Sequence, residues 1–326
     1  LPNLFDKSNK GSAAVAAFMY AMTSKLSSRR LDAMLRYKVG AVLSAIALVT
    51  VSLPASAQAV RSGFNSTSDG RNDDGTFTTG GCTNSGSGGT CAGTLVPIGF
   101  SANLFGTTFS SVYINTNGNI TLNAPYSTYT PSSLQGGGIP PILAPFFSDV
   151  DTRAAGSGVV QFGTGTVGAF QAFGVNWPGV GYFSQGTDKL NIFQLVLINR
   201  NDTGAGNFDF EFNYNQVQWE LGAADGGSGG LGTSGDQCAF AGYSNGLSGA
   251  SNVSANLPGS GTCGALLDGG ANALITHNLN SDVNGRYLFQ VRNGQVINTV
   301  PEPSSLALLG SGLFGLVPML RRRRKA

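Results

Sequence analysis

The stretch NFDFEFNYN, residues 207–215, alternates large aromatic and polar side chains without a break. Phe208, Phe210, Phe212 and Tyr214 share one face while Asp209, Glu211 and Asn213 take the other, a period of two that an extended strand satisfies and a helix does not. The aromatic face requires a second layer to pack against, and the alternation predicts that the opposite face is wet. Just upstream, LNIFQLVLI (190–198) is apolar on both faces and rich in branched residues, as expected of a central strand. The turn-forming run NRNDTGAGN joins the two as a hairpin. Further strands are expected at 108–115, 119–122, 142–149, 158–162, 169–177 and 286–291, with Asn117-Gly118 turning between the first two. No sustained helical period occurs between 60 and 300, so the expected fold is all-β: an antiparallel, sandwich-like domain.

Both ends of the chain carry targeting features that stand apart from this domain. MLRYKVGAVLSAIALVTVSLPASAQA (34–59) has a basic start at Arg36 and Lys38, an apolar core from Val39 to Leu53 and a small-x-small site, Ala55-Ser56-Ala57. That is the pattern of a secretory signal peptide cut by signal peptidase, and it predicts a mature start at Gln58, or at Val60 if Ala57-Gln58-Ala59 is used. Residues 1–33 have no core pattern and read as an over-extended start or a leader. Ser28-Arg29-Arg30 lacks the Phe-Leu expected of a twin-arginine signal. At the far end, VPEPSSLALLGSGLFGLVPMLRRRRKA (300–326) places a polar triplet before an apolar run and a basic terminus. A helix over 304–320 would span about 25 Å, the short end of what crosses a bilayer once. Arg321, Arg322, Arg323, Arg324 and Lys325 would then stay cytoplasmic, with everything before Pro301 outside.

Between the two targeting segments the charge is sparse and acidic. Residues 58–300 hold seven Arg or Lys against fourteen Asp or Glu, a net −7, whereas the whole chain carries +2. An acidic exterior argues against nucleic acid as a partner. All four cysteines follow the signal: Cys82, Cys91, Cys238 and Cys263. In an oxidising compartment an even number predicts two disulfides, and of three pairings Cys82–Cys91 with Cys238–Cys263 is expected. Zinc fits poorly, because the spacing matches no common finger and His277 is the only histidine.

Several stretches look like chemistry. Gly242-Tyr243-Ser244-Asn245-Gly246 matches a nucleophile elbow, with Asp268 and His277 following in hydrolase order. An elbow needs a helix after it, however, and LSGASNVSANLPGSG cannot supply one; a Gly-rich turn is the simpler reading. Asp202-Thr203-Gly204 has no second acidic triplet to share a proton, and the glycines of 163–168 have no βαβ unit around them. Asp149 and Asp151 lie two apart at a strand end and could hold Ca²⁺, with Asp73 or Asp74 adding oxygens; the competing reading is a polar strand end in which Arg153 neutralises Asp151. Trp177, Tyr182, Phe183 and Trp219 could form a sugar-stacking platform, or simply a core.

Two resemblances organise these readings. Pro301-Glu302-Pro303, a Gly-containing apolar helix and the terminal Arg run resemble the PEP-CTERM sorting signal of Gram-negative bacteria that make exopolysaccharide. This implies recognition of the triplet by an exosortase and removal of the tail. FGTTFSSVYINTNGNITL, ILAPFFSDVDTR, FGVNWPGVGYF, DKLNIFQLVLINR and FDFEFNYNQVQWELG, in this order, resemble a nidogen-like (NIDO) domain over about 95–246. Phe147 stands where that family more usually has Trp, and 247–299 has no recognisable counterpart. The expected organisation is therefore leader (1–33), signal peptide (34–59), Gly/Ser-rich segment (60–94), NIDO-like domain (95–246), Gly-rich remainder (247–299) and sorting signal (300–326). The family occurs in extracellular matrix and adhesion proteins. The resemblance implies no enzymatic activity. No cofactor is expected beyond the candidate Ca²⁺ at Asp149 and Asp151, and the expected partners are exopolysaccharide or matrix proteins. The competing readings are a secreted serine hydrolase using Ser244 and a periplasmic protein held permanently by its tail.

Overall fold

A computed structural model describes residues 58–79 and 93–297. The expected signal peptide with Ala55 and Ala57, the loop with Cys82 and Cys91, and the C-terminal signal lie outside those residues. Among the described residues no helix is long and apolar enough to cross a membrane.

The described chain is all-β. Its strands are β1 (Thr67–Ser68), β2 (Val96–Leu104), β3 (Thr107–Asn115), β4 (Asn119–Thr121), β5 (Ile142–Phe147), β6 (Val150–Asp151), β7 (Gln161–Val167), β8 (Phe170–Tyr182), β9 (Gly186–Asn199), β10 (Phe208–Gln216), β11 (Phe240–Ser244), β12 (Ser254–Asn256), β13 (Arg286–Arg292) and β14 (Gln295–Ile297). One sheet runs β1-β7-β8-β9-β10-β13-β14 with β6 beside β8, and the other runs β12-β11-β5-β4-β3-β2. Every strand pair is antiparallel.

The aromatic face of β10 packs toward the second sheet, as the alternation requires. Tyr243 of β11 meets Phe210 and Phe289 edge-on at centroid distances of 5.9 and 5.7 Å. Phe109 of β3 meets Phe208 at 5.8 Å, and Phe146 of β5 meets Phe193 of β9 at 5.4 Å. Tyr214 is buried whole, and its hydroxyl donates across the layers to Pro145 O at 2.6 Å, which removes the cost of an unpaired phenol in the core. Trp177 stacks on Phe193 at 4.9 Å and Trp219 lies against Phe146 at 5.6 Å.

The other face of β10 differs from expectation. Asp209, Glu211 and Asn213 are buried rather than wet, because the segment from Gln58 to Phe64 is laid over them. Val60 N donates to Asn215, Arg61 N to Gln194, and Asn176 Nδ2 to the carbonyls of Gly63 and Phe64. Arg61 grips Glu211 through two hydrogen bonds of 2.6 and 2.7 Å, and Arg292 and Arg200 pair with Asp209. Residues 60–79 are thus part of the fold.

The expected domain end at 246 also falls inside the sheets. β13 pairs along β10 from Phe208↔Val291 to Asn213↔Arg286, so the segment after 246 covers what would otherwise be an open edge beside the aromatic strand. Cys238 and Cys263 are joined by a disulfide with Cα atoms 5.1 Å apart, tying β11 to the loops that lead there.

The single strand expected at 142–149 is two strands in different sheets. β5 pairs with β4 and β11, β6 pairs with β8, and Ser148-Asp149 carries the chain across the corner. The Asn117-Gly118 turn packs directly on this crossing: a side chain at Gly118, whose φ is +75°, would place its first carbon 1.7 Å from Phe146 O. Only glycine lets the turn and the crossing strand lie so close.

Candidate functional site

At that corner the crossing strand and the N-terminal segment bring carboxylates together. Asn72 fixes the segment: its N–H donates to Thr152 Oγ1 at 2.8 Å, its carbonyl accepts from Thr152, and its side-chain oxygen accepts from Gly75 N and Thr116. This holds Asp73 and Asp74 against Asp149, one oxygen from each lying within 4.8 Å of the others. Asp225, on the short 3-10 turn Ala223–Asp225, completes the rim, with Thr130 donating to it at 2.8 Å. Asn117 links the parts by donating to Asp74 at 3.0 Å while accepting from Val150 N at 2.9 Å.

Asp149 and Asp73 are 1% and 2% exposed, and both oxygens of each lack a hydrogen-bond partner, an arrangement protein interiors avoid. Asp74 and Asp225 are half-buried, and Asp225 Oδ2 is itself buried with no hydrogen-bond partner. The Arg153 guanidinium makes two hydrogen bonds to Asp151, of 2.9 and 2.6 Å, its backbone N–H adds a third at 2.9 Å, and it sits over Phe183. Its Nη2 also lies 2.9 Å from Asp73 Oδ2, an ion pair by distance but without hydrogen-bond alignment. Burial pushes the Asp149 carboxyl up to about 9, with Asp74, Asp73, Asp225 and Asp151 adding repulsion. Burial likewise pushes Asp73 up to about 7, with Asp151 and Asp74 adding to it and Arg153 opposing. Asp74 and Asp225 are raised in the same way, chiefly by burial.

The pair read from the sequence as a Ca²⁺ candidate, Asp149 and Asp151, is therefore split. Asp151 belongs to Arg153 and Gln185 N, and Asp149 belongs with Asp73 and Asp74. Asp225 carried no sequence signal, since its only link to the others is tertiary. The elbow-like serine makes no catalytic set. Ser244 ends β11, is fully buried, and its Oγ accepts from Gly246 N at 3.0 Å. Asp268 accepts from Val217 N, and His277 Nδ1 lies against Ala273 O and Thr276, so no hydrogen bond links the three. A 3-10 turn at Gly249–Ser251 stands where an elbow needs a helix. Trp177 and Trp219 are core residues whose indole N–H groups donate to Thr116 O and Val180 O, so no aromatic platform faces solvent there. Asp202-Thr203-Gly204 is the β9–β10 turn, with Asp202 paired to Arg200. The glycines of 163–168 lie along β7 and its turn into β8.

Two packed antiparallel sheets, with an acidic corner where the chain crosses between them, define the class as a β-sandwich. The chain belongs to the nidogen-like domain family, whose model matches residues 110–167 and 161–293, and a PEP-CTERM protein-sorting motif matches residues 299–325. Together these indicate an exported protein. Among curated proteins, human alpha-tectorin is 29% identical over 144 residues, covering 38% of this chain and 6% of the relative. Alpha-tectorin of Gallus gallus is 27% identical over 231 residues, 64% of this chain and 10% of the relative. Nidogen of Drosophila melanogaster is 31% identical over 118 residues, 29% of this chain and 8% of the relative. The chain thus spans at most a tenth of the length of these relatives. No solved structure matches.

Proposed function

We propose that the chain is a non-enzymatic protein of the bacterial cell surface or extracellular matrix, acting by non-covalent adhesion and associated with exopolysaccharide or biofilm. The observation that carries this reading is the PEP-CTERM motif at 299–325 in the same chain as a nidogen-like domain. On this reading signal peptidase recognises Ala55-Ser56-Ala57 and cuts after Ala57, so that the mature protein begins at Gln58. The helix over 304–320 holds the chain briefly in the inner membrane with Arg321–Arg324 inside, and an exosortase then cuts at Pro301, Glu302 and Pro303. Two prolines flanking a glutamate cannot continue a helix, which keeps that backbone extended and open to a protease. The unlinked positions of Ser244, Asp268 and His277 weigh against the hydrolase alternative.

The test is peptide mass spectrometry of the C-terminus of the protein from its own host, with and without the exosortase. A terminus at or beside Pro301–Pro303 that depends on the enzyme is expected. Retention of Arg321–Ala326 in both strains would overturn sorting and make the tail a permanent anchor.

A further inference from the structure

We propose that Asp73, Asp74 and Asp149, with Asp225 at the rim, bind one hard divalent cation of the Ca²⁺ class. The proposal rests on the geometry of the corner and not on the sorting or adhesion reading, so each can fail without the other.

Three independent observations converge. The first is spacing: one oxygen from each of Asp73, Asp74 and Asp149 lies within 4.8 Å of the others. Oxygens about 2.3–2.6 Å from a shared Ca²⁺ stand at such separations from one another. The second is the state of the buried oxygens. Asp149 is 99% removed from solvent and neither of its oxygens has a hydrogen-bond partner, and the same is true of Asp73 at 98%. A carboxylate placed so is held by a charge partner or coordinates a metal. The available cation does not serve Asp149: Arg153 hydrogen-bonds to Asp151 and pairs by distance with Asp73. The third is the close packing that fixes the carboxylate. The chain has glycine at 222, where a side-chain carbon would stand 2.3 Å from Asp149 Oδ2, so that position must stay bare for Asp149 to keep its place.

The donor set chooses the ion class. Every candidate ligand is an oxygen, which favours Ca²⁺ and disfavours zinc, a metal that takes sulfur and imidazole. The other group of potential ligands, Glu220 with Cys238 and Cys263, has both sulfurs in the disulfide, and Glu220 is occupied by Gly264 N. Asp74 and Asp225 are half-buried, so of the four carboxyls they lie nearest to solvent.

The experiment is a pair of thermal melts of the full chain, in EDTA and in CaCl₂ at about ten times the Kd typical of weak extracellular sites, with calorimetric titration of CaCl₂ alone. Wild type is expected to gain about 5 °C with calcium and to bind one ion. Asp149→Asn is expected to melt in EDTA no lower than wild type, because neither carboxyl oxygen makes a hydrogen bond that the amide would lose, and to gain nothing from calcium. Asp74→Asn, at a half-buried position, is expected to weaken calcium binding at least tenfold. Asp151→Asn, which frees Arg153, is expected to lose stability in both solutions and to keep the calcium gain. A wild-type melt indifferent to calcium with no heat of binding would overturn the proposal. So would an Asp149→Asn or Asp74→Asn protein that keeps the full calcium response.

Discussion

Glu211 is 2% exposed on a strand whose other face is aromatic, and its charge is held by Arg61 through two hydrogen bonds, with Arg286 at 3.9 Å behind. Removing one partner of such a pair leaves the other buried and unpaired, which costs more than the pair is worth. Arg61 is itself partly exposed and Arg286 remains, so Arg61→Ala is expected to lower unfolding free energy by about 2 kcal/mol, less than the roughly 3–5 kcal/mol of a fully buried pair. A urea denaturation midpoint unchanged from wild type would show that the N-terminal segment is not held by this contact. At the same scale the acidic corner was only half legible. The spacing of Asp149 and Asp151 marks a strand end with acidic character. Alternation then predicts that both point one way, and it fails because Asp149 lies in the crossing between the sheets and only Asp151 lies in β6. What brings Asp73, Asp74 and Asp225 to Asp149 is tertiary, across separations that no local pattern encodes.

Among the elements, the long alternating and doubly apolar strands were legible because their pattern is long enough to exclude a helix. β9 and β10 lie where the sequence places them, joined by the expected turn. β2 was missed although Val96, Ile98, Phe100, Ala102 and Leu104 alternate inward, since Pro97 and Gly99 at the intervening positions read as strand breakers. Its place at a sheet edge makes both tolerable. β11 was hidden by Gly242, whose missing side chain admits Ala255 O from β12. The N-terminal segment has no pattern of its own; it is ordered by the polar face of the large sheet. That dependence bears on signal processing. Arg286 donates to the carbonyls of Gln58 and Ala59, and Ala59 is buried. Cleavage after Ala57 keeps these contacts and cleavage after Ala59 removes them, so the mature N-terminus is expected at Gln58. Edman or peptide sequencing of the secreted protein that begins at Val60 would refute this.

Across the whole molecule, the two targeting segments carry the positive charge and the sandwich carries the negative. Intact, the chain has a net +2, while residues 58–300 have −7. Retaining only the tail, with Glu302 and the five terminal basic residues, would leave 58–326 at −3. Each processing step proposed above therefore changes the isoelectric point in a known direction, independently of any antibody or ligand. Surface protein from the wild-type host should focus at acidic pH. The band from a strain without the exosortase should move toward the basic end, because the Arg321–Lys325 cluster is kept. The strongly acidic processed form also suits export into a matrix of polysaccharide, where net charge maintains solubility and a divalent cation could lower local repulsion at the acidic corner. Bands that coincide in the two strains would show that the tail has the same fate with or without the enzyme, and the sorting reading would fail even if the sandwich and its cation site stood.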